Sequence, residues 1–182
     1  MILVTGGTGF IGRALIRQLV DAGYQVRTLI RPSQNSPRLP KGVPVEVALA
    51  ALNDERSLRA ALVGVDTIYH LAGVERSGVE ADLLEVDVRG TQTVLSAAAD
   101  AGVDRFFYLS HLGADRASAY PIFKAKAIAE EHIRRSKLDA TIMRTGIVFG
   151  PNDGFTTGLA QLLSALPFVF FLPGDGSSLM QP

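Results

Sequence analysis

The chain has 182 residues, enough for one domain with a sizeable core, and its 18 Lys+Arg balance 18 Asp+Glu, so no net field draws the surface towards nucleic acid or anionic lipid. It has no cysteine, which excludes disulfides, Cys-ligated zinc and thiol nucleophiles. Met1 already enters an apolar strand pattern and no apolar run reaches membrane-spanning length, so the expectation is a cytoplasmic protein with no leader and no membrane span.

The first strand pattern, Ile2–Thr5, runs without a linker into Gly6–Gly7–Thr8–Gly9–Phe10–Ile11–Gly12 and then a helical pattern from Arg13 to Ala22. Strand, glycines and helix in that order form the arrangement that a dinucleotide pyrophosphate requires. The glycines permit a sharp turn and close approach, and the helix N-terminus offers N–H groups and partial positive charge. Thr5, Gly6, Gly7, Gly9, Phe10, Ile11 and Gly12 are therefore candidate cofactor-binding residues.

Further strand patterns follow at Gln25–Ile30, Val43–Leu49, Thr67–Leu71, Arg105–Ser110 and Ala140–Met143. Helical spacing recurs over Glu55–Val63, Val79–Ala101 and Pro121–Ser136, with Gly23 and Gly102 placed for left-handed C-caps. Short apolar strands alternating with helices predict an α/β fold, a doubly wound parallel sheet of the Rossmann type. The Pro/Ser/Asn-rich segment Pro32–Pro40 reads as a surface loop.

Six motifs resemble, in order and spacing, those of the short-chain dehydrogenase/reductase superfamily. They are the Thr5–Gly12 opening, His70–Leu71–Ala72–Gly73, Asp87–Val88–Arg89–Gly90–Thr91, Phe107–Tyr108–Leu109–Ser110, Ala125–Lys126 through Glu130, and Arg144–Thr145–Gly146 through Pro151. Within it the chain is similar to the extended and atypical NAD(P)-dependent epimerase/dehydratase branch, and especially to NmrA-like proteins and relatives of the NADPH-carrying subunit of respiratory complex I. The resemblance implies a nicotinamide cofactor, with Leu71, Ala72 and Gly73 beside it.

The end of the second strand bears on which nicotinamide. NAD-selective sites place a carboxylate there for the ribose 2′-hydroxyl, whereas this chain has Ile30 and then Arg31, with Arg38 and Lys41 further along. A guanidinium can pair a 2′-phosphate bidentately, so NADP is the expected cofactor, with NAD as the alternative.

The resemblance also implies a Tyr-x-x-x-Lys pair on one helix, in which the lysine binds the nicotinamide ribose and the tyrosine moves a proton. Tyr120 and Lys124 satisfy the spacing literally, but the flanking Ala125–Lys126 and Glu130 match the family register, which makes Lys126 the ribose lysine and puts Ile122 at the tyrosine position. Ser110 is the candidate third member, with His111 as the alternative in that place. Lys126, Ser110 and Tyr120 are thus the candidate catalytic residues, while His70 and His132 read as structural. Ala51, Asp87 and Thr145 each stand where relatives often carry another residue, an aspartate, an asparagine and a proline respectively.

The expected organisation is a NAD(P)-binding domain over 1–166 and, over 167–182, the start of a truncated substrate-binding region. Its Phe168–Leu172 run would present a strand edge and apolar surface on which two copies could pair as a homodimer. Two functions remain open: an NADP(H)-dependent oxidoreductase or sugar-nucleotide epimerase/dehydratase acting on an unidentified small molecule, and a cofactor-binding redox sensor or assembly subunit without turnover.

Overall fold

A computed structural model of the chain describes residues 1–33, 39–74 and 82–165; Arg38, the expected helix start at Val79 and the region 167–182 lie outside the described residues. Met1–Arg144 forms one compact unit and the residues from Thr145 a second. Strands β1 (Ile2–Thr5), β2 (Val26–Ile30), β3 (Glu46–Leu49), β4 (Thr67–His70), β5 (Arg105–His111) and β6 (Asp139–Thr145) form a single sheet in the order β3-β2-β1-β4-β5-β6. The β1–β2, β1–β4, β2–β3 and β4–β5 pairings are parallel, as the alternating pattern predicts. All four residues of β1 are buried, consistent with a strand paired on both sides and covered on both faces.

Alternation along β1 sorts the core. Ile2 and Val4 pack with Ile16, Leu19 and Val26 against helix α1 (Phe10–Asp21). Leu3 packs on the other face with Ile68, Phe106, Val94 and Ile133. That face is covered by helices α2 (Glu55–Ala61), α3 (Thr91–Asp100) and α4 (Pro121–Arg135). Helix α2 starts where Asp54 accepts the Ser57 N–H at 3.2 Å, and α4 starts with Pro121, whose missing N–H costs nothing in a first turn.

Three elements depart from expectation. Helix α1 begins at Phe10 rather than Arg13, because Gly9, with φ −72° and ψ 172°, is already the residue before its first turn. The long helix expected up to Ala101 is instead a wide π-helical turn, Leu84–Gly90, running into α3. Such turns are uncommon and concentrate at functional sites. Gly90 permits this one to lie against Leu52, since a Cβ there would sit 3.0 Å from the Leu52 side chain. Beyond Arg144, α5 (Gly154–Ala165), which the periodicity did not single out, is capped by Asp153, whose carboxylate accepts the N–H groups of Phe155 and Thr156. The Asp153 carboxyl is held down at about 2, chiefly by the Thr156 hydroxyl.

Candidate functional site

The sheet order reverses between β1 and β4, and in open parallel sheets the crevice at the carboxyl ends of such a strand pair is where ligands bind. A cleft of about 670 Å³ lies there, lined by Thr5, Gly6, Thr8 and Gly9 from β1 and the turn after it, and by Leu71–Val74 after β4. Arg31 and Ser33 after β2, Ala51–Asn53 after β3, and Glu85 and Val86 from the π-turn line it as well.

The glycines divide into two kinds. A Cβ on Gly12 would sit 2.3 Å from the Gly6 carbonyl oxygen, one on Gly7 2.1 Å from Thr28 Oγ1, and one on Gly6 2.7 Å from the Leu71 carbonyl group. Those three are small because the protein itself fills the space, and Gly6 also holds a φ of +71°. Gly9 differs: its Cβ would meet only the Gly6 carbonyl oxygen, at 3.2 Å, and it opens onto the cleft at the start of α1, where no side chain caps the first turn. A backbone cradle at a helix N-terminus suits a pyrophosphate, so the residues present fit a dinucleotide. Phe10 and Ile11 are the first residues of that helix, and Gly7 and Gly12 support the turn from behind.

Thr5 and His70 tie the two strand ends together. The Ala72 N–H donates to Thr5 Oγ1 at 3.2 Å, Thr5 Oγ1 lies 2.8 Å from His70 Nδ1, and His70 Nε2 lies 3.0 Å from Thr91 Oγ1. Because the Thr91 hydroxyl donates to the Asp87 carbonyl at 2.7 Å, its oxygen accepts from Nε2–H, and Nδ1 accepts from Thr5. Burial, then the Lys126 charge, lowers the His70 pKa to about 3, so the ring stays neutral. His70 is structural, as the sequence reading has it.

On α4, the two candidate lysines part. Lys124 is exposed, whereas Lys126 is buried, with its ammonium 3.0 Å from Asp87 Oδ1, 3.4 Å from the Leu109 carbonyl oxygen and 5.2 Å above the Tyr108 ring. Asp87 is fully buried; its Oδ2 accepts the Val74 N–H at 3.2 Å, while Oδ1 has no well-aligned hydrogen bond among the described residues. Gly73 passes over the pair: a Cβ on it would lie 2.9 Å from Asp87 Oδ1 and 3.4 Å from Lys126 Nζ.

The hydroxyl candidates sit elsewhere. Tyr120 precedes α4, is 67% exposed and packs its ring edge against Phe123 at 5.5 Å. Ile122 stands half-buried four residues before Lys126. Ser110 is buried and donates to Glu130 at 2.6 Å, a carboxylate that also accepts from Arg144 at 2.7 and 2.8 Å and Arg134 at 2.6 Å. Burial pushes the Glu130 carboxyl up, but hydrogen bonds from Arg144, Ser110 and Arg134 outweigh it and hold the group at about 2. His111 accepts the Gly113 N–H on Nδ1 at 3.1 Å and lies on Phe123 with ring centroids 4.6 Å apart. Tyr108 is buried among these groups, its phenol pushed up by burial and then by Asp87 and Glu130 against a weaker opposing effect of Thr91, with no well-aligned hydrogen bond on its hydroxyl among the described residues.

Asn53 and Glu85 were not foreseen. They meet across the cleft wall at 3.2 Å, a contact with no motif in the sequence because only the fold brings positions 32 apart together. Asp87 is visible in the sequence as an acid in the family helix, yet its pairing with Lys126 is not.

Comparison with known proteins agrees with this geometry. Residues 6–165 match the model of a family described as NAD(P)H-binding, and the chain belongs to that family. It is 31% identical over 167 residues to the ceramide reductase of Caulobacter vibrioides, covering 92% of this chain and 52% of the relative. It is 32% identical over 143 residues to the photosystem II assembly factor Ycf39 of Cyanophora paradoxa, covering 79% of this chain and 44% of that one. The chain thus spans about half the length of these relatives. A short-chain dehydrogenase/reductase superfamily protein from Agrobacterium tumefaciens, solved with bound NAD, superposes with a TM-score of 0.63 at 28% identity, over 79% of this chain and 48% of that one. The likeness to the short-chain dehydrogenase/reductase and epimerase/dehydratase group read from the motifs stands. Among the described residues no helix is long and apolar enough to cross a membrane, and no group of acids and histidines could hold a metal ion.

Proposed function

We propose that the chain is the NADP(H)-carrying domain of an oxidoreductase in the epimerase/dehydratase group, with Lys126 as the ribose lysine. The observation that carries this is the buried Lys126 ammonium directly under Gly73 in the cleft wall, while Lys124 faces solvent. Arg31 lines the cleft next to Ile30, where no acid stands for a 2′-hydroxyl, and makes no ion pair among the described residues, which leaves its guanidinium for a 2′-phosphate. Gly9 and the first turn of α1 bind the pyrophosphate, and Leu71–Gly73 flank the far half of the cofactor. When bound, the nicotinamide supplies or accepts a hydride at a carbonyl or alcohol carbon of a small molecule.

A second reading, a cofactor carrier without turnover, is favoured by one observation. The tyrosine position of the matching register is Ile122, and Tyr120 sits exposed ahead of the helix. The relative named as an assembly factor supports it, as the relative named as a reductase supports the first.

Fluorescence titration with NADPH and NADH tests the assignment. The expected result is tighter binding of NADPH, with Arg31→Ala weakening NADPH by about 1.5–3 kcal/mol, the worth of a charge-assisted hydrogen bond, and leaving NADH unchanged. Tighter binding of NADH by the wild type overturns the NADP assignment. Oxidation of bound NADPH by any of a panel of ketones and aldehydes separates the two readings.

A further inference from the structure

We infer that the buried Asp87–Lys126 pair acts as a charge filter on the oxidation state of the cofactor, with Asp87 as the residue that keeps the cleft open to the oxidised form. The inference rests on the proposed placement of the nicotinamide ribose at Lys126. Oxidised and reduced nicotinamides have nearly the same shape, but the oxidised ring carries a positive charge that the reduced ring lacks. The net charge of the groups beside it therefore discriminates between them.

The groups in question can be counted from the structure. Lys126 is 7% exposed and brings a cation to the cleft wall, and in a poorly hydrated position an ammonium alone would disfavour a cationic ring. Asp87 Oδ1, 3.0 Å away and fully buried, cancels that charge. His70, held between Thr5 and Thr91, and the Tyr108 phenol are neutral. The other ionisable groups, among them Glu130 with Arg144 and Arg134 and the cleft-lining Glu85 and Arg31, are the same in the wild type and in variants of Asp87 and Lys126, so a change in the ratio reports the pair.

The geometry of Asp87 points to a carboxylate placed for this purpose. The π-turn swings it inward, and Val74 N–H fixes Oδ2. Oδ1 accepts no well-aligned hydrogen bond from the described residues, so its main partner is the lysine charge. Gly73 leaves no Cβ between the pair and the cleft wall, since one there would lie 2.9 Å from that same oxygen.

The test is a set of dissociation constants for NADP+ and NADPH on the full chain, its Asp87→Asn and Lys126→Met variants and the double variant, with thermal melts as the check on folding. In Asp87→Asn, the ratio of NADP+ to NADPH affinity is expected to fall about tenfold, the worth of a unit charge at roughly 10 Å and an effective dielectric near 20. That fold-change corresponds to a rise of about 30 mV in the potential of the bound couple. Lys126→Met moves the ratio the opposite way, and the double variant returns it towards the wild-type value. A purely structural role for Asp87 would weaken both nucleotides equally, and an unchanged ratio in the folded variant overturns the inference. If Asp87→Asn does not fold, the Lys126→Met ratio decides: a shift towards NADP+ supports the filter, and no shift overturns it. Failure of the wild type to bind either nucleotide overturns the cofactor reading itself, an outcome distinct from an unmoved ratio.

Discussion

Along the ends of β1 and β4 the cleft is lined by backbone, whereas the region of β5 and α4 behind Gly73 is made of side chains that hold one another. Gly6, Gly9, Ala72 and Gly73 present N–H and carbonyl groups with almost no side chain. Ser110, Glu130, Arg144, Lys126 and Asp87 instead form buried charged contacts whose partners are each other. The two halves have different tolerances. A backbone cradle fails where an added Cβ would run into backbone, as at Gly6 and Gly12. A side-chain cluster holds by mutual pairing, Ser110 with Glu130 and Lys126 with Asp87.

The largest effect that would sharpen this contrast lies in Glu130. Replacing it with Ala strands Arg144, Arg134 and Ser110 around a buried gap, and thermal or urea unfolding should show a loss of about 3 kcal/mol. Its pH signature follows from the carboxyl held at about 2 against an ordinary 4.5. The unfolded chain takes up that proton first as the pH falls, so the stabilisation is complete above about 4.5 and is lost between there and about 2. His70, lowered from 6.5 to about 3, adds an earlier loss that starts as the pH falls through 6.5, because the unfolded ring protonates before the buried one. Stability should therefore begin to fall near pH 6.5 in the wild type, and His70→Gln should delay that fall to near 4.5. An identical onset in both proteins contradicts the buried neutral ring.

On the backbone side, Gly12→Val and Gly9→Val should separate folding from binding. The first forces a Cβ to within 2.3 Å of a carbonyl oxygen and should cost about 1–3 kcal/mol or more in a melt. The second meets a single carbonyl oxygen at 3.2 Å, so its melt should fall by less than that of Gly12→Val while NADPH binding disappears. Retained NADPH binding in Gly9→Val breaks the assignment of the cradle.

A smaller effect concerns the register of α4. Lys126→Met should weaken NADPH by about 1.5–3 kcal/mol, and Lys124→Met should leave it unchanged, the two side chains lying about 200° apart around the helix. The reverse pattern would restore Tyr120 and Lys124 as an ordinary catalytic pair. The smallest effect belongs to Tyr120→Phe, which removes an exposed hydroxyl and should move neither the melt nor NADPH affinity by more than about 0.5 kcal/mol. A large fall in any turnover found for the wild type would show that this tyrosine serves the reaction.

Most of the backbone half could be read from the sequence, because strand ends, glycines and helix starts are local and their spacing is fixed by chain geometry. The Thr5–Gly12 turn and the Leu71–Gly73 loop fall where their motifs put them. The side-chain half was legible only in part. Burial separates Lys126 from Lys124, and periodicity alone did not say which one faces the interior. Apart from Arg134, one turn along α4 from Glu130, the partners of Asp87, Ser110 and Glu130 lie 13 to 39 positions away, and only the packed sheet sets those distances. The π-turn was missed because its apolar residues continue the pattern of a helix, and nothing in residue type announces a change from i+4 to i+5 bonding.

That turn also governs how the segment would respond to a change in length. Each π-turn holds one residue more than the α-turn it replaces. Removing a single residue between Leu84 and Asp87 would let the segment relax into continuous α-helix. Val94, Leu95, Ala97 and Ala98 of α3 would keep their register on the sheet, but Asp87 would rotate off Lys126. The extra residue is thus a local spacer, one that sets the aim of a carboxylate without disturbing the helix beyond it.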